Sequence, residues 1–201
     1  MAIFARAPVP GETKTRLIPA LGAEGAARLH EALVRRAIEV ALAARVGPVQ
    51  LWCAPGPEHV FFSRCAADYP IGLHGQRGAD LGERMEAAFD AALGDNAALV
   101  VIGSDCPALG PATLAGAAAA LADHDAVVAP AEDGGYVLMG LARRVPGLFA
   151  GIEWGGPGVM AATRARLAAA ATRWKELGTF WDIDRPEDLA RLEREGLLRS
   201  P

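Results

Sequence analysis

Short apolar runs alternate along this chain with longer segments whose apolar positions recur every three to four residues. The first pattern predicts strands buried on both sides and the second predicts amphipathic helices. Ile3-Phe4-Ala5 starts a strand. From about Glu24 to Arg45 the periodicity predicts a helix, with Leu29, Leu33, Ala37, Val40 and Ala44 on one side. Val49–Cys53 reads as a second strand, His59–Ala67 as a short helix, and Ile71–His74 as a third, weak strand. Leu81–Leu93 is helical in pattern, and Leu99–Ile102 is a central strand. Pro111–Ala122 predicts an Ala-rich helix, with proline in the first turn where a missing N–H costs nothing. Ala126–Ala129 and Tyr136–Leu141 are strands that pair, and Pro157–Ala170 and Pro186–Glu195 are the last helices.

Continuous apolar strands separated by helices predict a mostly parallel sheet covered on both faces. The expected fold class is α/β, a three-layer α/β/α Rossmann-like sandwich, with residues 1–201 as one domain. In such sheets ligands sit beyond the carboxyl ends of the strands, at a topological switch point. The candidate chemistry lies at such ends.

The first strand runs into a loop with two prolines, Gly11 and the cations Arg6, Lys14 and Arg16, followed by a helix. Backbone N–H groups, a helix amino terminus and fixed cations are the means by which a strand–loop–helix holds phosphates. The loop matches neither the P-loop nor the dinucleotide fingerprint, so it could also be an ordinary surface turn. Asp105, in Gly103-Ser104-Asp105-Cys106-Pro107, ends the central strand. A carboxylate there suits Mg²⁺, which takes one or two carboxylates plus substrate phosphates. It could instead cap the helix that begins near Pro111. Asp182 and Asp184 point to one face of extended chain, and either could complete a metal site with Asp105. Asp184 could also cap the last helix.

Glu132-Asp133-Gly134-Gly135 reads either as a plain hairpin turn or as an acceptor-side loop with Asp133 as base. Gln76-Arg77-Gly78 leads into Leu81, and its glycines permit contact with a flat base. Trp154 either stacks on a ligand or packs in the core. Cys106 has no obvious histidine partner and reads as a small buried filler. The four histidines are scattered and suggest no role.

The net charge is −4, which argues against a surface that coats nucleic acid but permits a local anion site. Three cysteines at no metal-ligand spacing argue against a disulfide framework or structural zinc, and fit a reducing cytoplasm. No run reaches the roughly 18 apolar residues of a membrane span. The chain opens directly in strand-like sequence, without the pattern of a signal peptide.

In this order occur FARAPVPGETKTRL, QRGADLGERM, IGSDCPAL, PAEDGGYVLMGL, a tryptophan before a helix, and DIDRPEDL. Together they resemble a bacterial family of glycosyltransferase-A-like proteins, associated with arsenosugar or selenium gene clusters and related to the molybdenum-cofactor and phospholactate nucleotidylyltransferases. The resemblance implies a nucleotide-diphospho-sugar transferase fold. It also implies an NTP or NDP-sugar donor, a small-molecule acceptor, and Mg²⁺ or Mn²⁺. It places the metal on Asp105 and Asp184. Arg6, Gly11, Lys14 and Arg16 match its phosphate loop, and Gln76, Gly78 and Leu81 lie near the base. Ala5, Ala7 and Ser104 complete the implied nucleotide site. One departure is Trp154-Gly155-Gly156-Pro157, where the resemblance leads one to expect Ser or Thr after the tryptophan.

Three functions follow from these expectations. The first is glycosyl transfer, with Lys14, Arg16 and a metal stabilising the departing diphosphate and Asp133 as base. The second is nucleotidyl transfer from an NTP to a phosphorylated acceptor, in which Lys14 and Arg16 matter most. The third is nucleotide binding without catalysis.

Overall fold

A computed structural model describes residues 1–94 and 97–197. Seven strands form one sheet in the order β3-β2-β1-β4-β6-β5-β7. They are β1 (Ala2–Arg6), β2 (Gln50–Ala54), β3 (Gly72–Gly75), β4 (Leu99–Gly103), β5 (Ala126–Pro130), β6 (Tyr136–Leu141) and β7 (Trp174–Glu176). Only β6 runs against its neighbours, β4 and β5; the other pairings are parallel. Among the described residues the α-helices are α1 (Ile18–Ala44), α2 (Val60–Asp68), α3 (Leu81–Ala92), α4 (Pro111–Ala120), α5 (Val159–Ala169) and α6 (Pro186–Glu195).

The strand side chains divide between two cores, as a period of two requires. Ile3, Leu51, Val100 and Ile102 pack with Val34 and Ile38 of α1, Phe62 of α2 and Leu114 of α4. Phe4, Trp52, Leu99 and Val101 pack with Met85 and Phe89 of α3 and Met160 and Leu167 of α5. A third, smaller cluster of Leu17, Leu33, Trp181, Ile183 and Leu192 lies where the loop after β1 meets α1 and α6. The three layers expected from the sequence are therefore present.

Some expectations are corrected. β6 pairs with β5 as expected, but it also pairs with β4 and so lies between the two. α1 starts at Ile18, with Gly22 at φ 69° interrupting it before the predicted start near Glu24. Leu33 and Val40 of the expected stripe are buried, and the buried face extends beyond it to Ala26, His30, Val34, Ile38 and Ala41. β7 was not expected, because Trp174-Lys175-Glu176 is short and has two exposed charged residues.

The chain winds from β1 through β2 to β3 on one side and places β4 on the other. The crevice between the ends of β1 and β4 is therefore the switch point. None of the described helices is long and apolar enough to cross a membrane.

Candidate functional site

The loop after β1 is shaped by a residue the sequence did not single out. Buried Thr13 donates its hydroxyl to the Ala7 carbonyl at 2.8 Å and accepts the Val9 amide at 3.2 Å. Gly11 turns the loop at φ 87°. Lys14 then adopts φ 52°, the left-handed region that is uncommon for a side-chain-bearing residue. Such backbone persists where its surroundings hold it in place, and here those are the partners of the Lys14 ammonium. Lys14 Nζ lies 3.0 Å from Asp105 Oδ2 and donates to the Ile183 carbonyl. Its side chain is 6% exposed, whereas that of Asp105 is 42% exposed and faces the crevice.

Asp105 follows β4, and Gly110 rather than Asp105 caps α4. Ser104 Oγ donates to Asp105 Oδ1 at 3.2 Å. Partial burial disfavours the charged carboxylate, but Lys14 and the ring of His30 outweigh it and hold the carboxyl well below its usual range. His30 is buried on α1, with Nε2 2.9 Å from the Arg6 carbonyl and Nδ1 3.6 Å from Asp105 Oδ1. It therefore bridges the end of β1 and the carboxylate after β4. The available signal was a lone polar residue on the buried stripe of α1.

The carboxyl-terminal segment closes the crevice. The Ile183 amide donates to the Asp105 carbonyl at 2.9 Å, opposite the Lys14 contact. Arg16 pairs with Asp184, whose side chain is 41% exposed. Asp184 does not cap α6: Asp188 accepts the backbone amides of Asp184 and Arg185 at 2.9 and 2.7 Å. The resulting cavity, about 310 Å³, is lined by Arg6, Lys14, Arg16, His30, Asp105 and Asp184, with Glu12, Thr13 and Thr15.

A second cavity, about 160 Å³, opens on the same sheet edge. Asp133, Gly135 and Tyr136 line it from the β5–β6 turn, Trp154 to Gly156 and Val159 from the start of α5, and Leu81 and Asp182 complete it. Asp182 and Asp184 thus belong to adjoining cavities, with Ile183 between them tied by its backbone to the first. Burial, followed by the charge of Asp133, pushes the Asp182 carboxyl up to about 6, against the pull of Lys14. Asp133 does shape a turn: its Oδ1 accepts the Gly135 amide at 2.8 Å. Trp154 is half-buried, with its ring edge-on to Tyr136 at 6.2 Å.

Of the expected nucleotide-binding residues, Arg6, Lys14 and Arg16 line the first cavity. Ala5, Ala7 and Ser104 act around it through hydrogen bonds. Gln76 Nε2 donates to the Ala5 and Trp52 carbonyls at 3.3 and 2.8 Å and ties β1 to β2. Gly78 has φ 136°, and its carbonyl accepts from Arg84 Nε at 3.1 Å, which anchors the turn into α3. Leu81 lines the second cavity instead, beside Asp133. Cys106 is a buried filler whose thiol burial pushes up to about 11.

Asp105 and Asp184 offer hard oxygens to the same cavity, and Asp105 is held ionised. That suits Mg²⁺ or Mn²⁺ carried by a nucleotide, which completes its coordination with phosphate and water. No group of three or more His, Cys, Asp or Glu that could hold a metal occurs among the described residues.

Residues 37–156 match the family described as "Uncharacterized protein conserved in bacteria (DUF2064)", and the chain belongs to that family. A "putative nucleotide-diphospho-sugar transferase" from Desulfovibrio desulfuricans G20 is 31% identical, with TM-score 0.88 over 97% of this chain and 86% of that one. The fold is thus that of the nucleotide-diphospho-sugar transferases. CMP:2-keto-3-deoxy-manno-octonic acid synthetase complexed with CTP shares the fold at 11% identity, TM-score 0.62, over 97% and 96% of the two chains. Rv0371c from Mycobacterium tuberculosis, in complex with manganese, does so at 16% identity, TM-score 0.58, over 95% and 96%. No curated protein matches the chain.

Proposed function

We propose that the protein is a metal-dependent transferase that uses a nucleotide-activated donor, and that it transfers a glycosyl group from an NDP-sugar to a small acceptor. One observation carries this reading. The cations Arg6, Lys14 and Arg16 and the carboxylates Asp105 and Asp184, with Glu12, converge on one cavity at the switch point, and a second cavity bearing Asp133 adjoins it. The donor diphosphate would lie in the first cavity against Arg6, Lys14 and Arg16. Asp105 and Asp184 would hold Mg²⁺ or Mn²⁺, whose positive charge offsets the negative charge that develops on the leaving diphosphate. Lys14 is already fixed by its partners, so it stabilises that charge without reorganising. Asp133 would accept the proton of the attacking acceptor hydroxyl. The solved relative named for nucleotide-diphospho-sugar transfer supports this choice. The association with arsenosugar or selenium gene clusters rests on the motif resemblance.

Nucleotidyl transfer is the second reading, favoured by Lys14 and Arg16 on the loop after β1, where charge on an α-phosphate would gather. A thermal-shift series with the four NTPs and common NDP-sugars, with and without Mg²⁺ or Mn²⁺, separates the two. Metal-dependent stabilisation by one NDP-sugar and little by NTPs is the expected result. Stabilisation by one NTP alone would transfer the assignment to nucleotidyl transfer. Asp133→Asn is expected to lower turnover by about 10²-fold while leaving donor affinity unchanged. Unchanged turnover would remove Asp133 from the reaction.

A further inference from the structure

The second cavity has a chemical character of its own. Asp133 and Asp182 contribute its charges, and no lysine, arginine or histidine is among its lining residues. Its other walls are Trp154, Tyr136, Val137, Val159 and Leu81, with glycine backbone between them. An anionic group here would be repelled by two carboxylates with no cation in the lining to offset them. Carboxylates and aromatic faces are instead what a polyhydroxylated ring offers bonds to. Its hydroxyls donate to carboxylate oxygens, and its apolar C–H face lies on an indole. The volume of about 160 Å³ is roughly five waters' share of the liquid, enough for a single small ring.

The position of Asp133 is built rather than incidental. Gly134 sits at φ 91°, and a Cβ there would overlap the Pro157 backbone. The Gly134 carbonyl accepts the Met160 amide at 2.8 Å. The turn is thereby clamped to the start of α5, and the Gly135 amide holds one Asp133 oxygen. Asp182 is fixed from the other side, because Ile183, its neighbour, is bound through both backbone groups to Lys14 and Asp105.

We infer that this cavity is the acceptor subsite and that it selects an uncharged polyhydroxylated ring against its phosphorylated counterpart. The inference rests on the transferase reading and deepens it by naming the acceptor class. It separates the acceptor from that of the nucleotidyl reading, which needs a phosphorylated one.

The test uses matched pairs: myo-inositol against inositol 1-phosphate, and methyl glucoside against glucose 6-phosphate. Each is titrated against the whole protein at mildly alkaline pH and fixed ionic strength, following intrinsic tryptophan fluorescence. Donor binding is followed in parallel by thermal shift. The neutral member of at least one pair is expected to bind about tenfold or more tightly than its phosphate. In the Asp133→Asn, Asp182→Asn double variant the preference should shrink to less than about threefold, mainly because the phosphorylated ligand gains affinity. A gain of binding is not something misfolding can produce. Equal or tighter binding of the phosphates by the unaltered protein, an unchanged ratio in the variant, or no binding of any ring at tens of millimolar would each overturn the inference. If donor stabilisation persists through such a failure, only the acceptor assignment falls. If no donor stabilises the protein either, the transferase reading falls with it.

Discussion

The Lys14–Asp105 pair is where the fold and the proposed chemistry meet most closely. The ammonium is buried, in a left-handed backbone position, and its partners are one carboxylate and one carbonyl. Removing it leaves Asp105 partly buried beside a histidine, so the carboxyl should rise back toward or above its ordinary range. Lys14→Met keeps most of the volume and deletes the charge. It is expected to lower turnover by about 10²–10³-fold, the usual loss when one fixed donor to a developing anion is removed. The stability cost should be about 1–3 kcal/mol, less than for a fully buried pair because Asp105 is 42% exposed. Turnover with each donor and a denaturant titration check both figures. Asp105→Asn is the better partner variant than Asp105→Ala, because it keeps an acceptor for Lys14. At this scale the sequence marked Lys14 and Arg16 as candidates by the loop after β1 and Asp105 by the end of β4, left Asp182 and Asp184 as alternatives, and took Asp184 from the motif resemblance. It could not assign Asp182 and Asp184 to different cavities, because that depends on how Ile183 is bound. It also passed over His30 and Thr13, whose importance comes from reaching Arg6, Asp105 and Ala7 across the fold.

Among the elements, strands with continuous apolar runs were legible and the three-residue β7 was not. β7 pairs with β5 in parallel, and Asp125, just before β5, adds side-chain bonds at its start. The Asp125 carboxylate accepts the Arg173 amide at 2.9 Å and pairs with Arg143 Nε at 3.2 Å, while its carbonyl accepts the Ala142 amide at 2.9 Å. One side chain thus joins the ends of β5, β6 and β7. The Arg143 and Arg173 bonds lower the Asp125 pKa below its ordinary value of 3.8. A carboxyl with a depressed folded-state pKa stabilises the fold above its unfolded pKa, and that contribution disappears as pH falls through the folded value. Asp125→Asn is therefore expected to lower the melting temperature at neutral pH and to make little difference once the pH is well below 3.8. A pH series of melts on both proteins tests this. An equal penalty at acidic pH would mean that packing, not the charge, carries the effect. The antiparallel insertion of β6 was hidden for a different reason: the pattern of apolar positions marks which faces of a strand are buried, not which strands lie beside it.

Across the whole molecule, four charged groups of the proposed donor cavity pair with one another. Lys14 pairs with Asp105 and Arg16 with Asp184, so the groups proposed for phosphate and those proposed for metal satisfy one another. A divalent ion bound alone would compete with Lys14 and Arg16 for the carboxylates and leave a buried ammonium with one carbonyl partner. A nucleotide bound alone would bring its phosphates up against two carboxylates. Bound together, each ligand relieves the cost the other imposes, since phosphate takes over the cations and metal takes over the carboxylates. Coupling of this kind is reciprocal: the factor by which metal tightens nucleotide equals the factor by which nucleotide tightens metal. We expect that factor to be about tenfold or more, within the usual range of coupling energies of roughly 1–3 kcal/mol. Calorimetric titration of the favoured donor, with Mg²⁺ or with a chelator, measures it directly. Stabilisation by nucleotide should likewise collapse when the metal is removed, since a ligand that binds only the folded state raises its stability in proportion to RT ln(1 + [L]/Kd). Nucleotide affinity indifferent to the metal would show that Lys14 and Arg16 bind phosphate without giving up Asp105 and Asp184, and would leave those carboxylates as positioning groups for the loop.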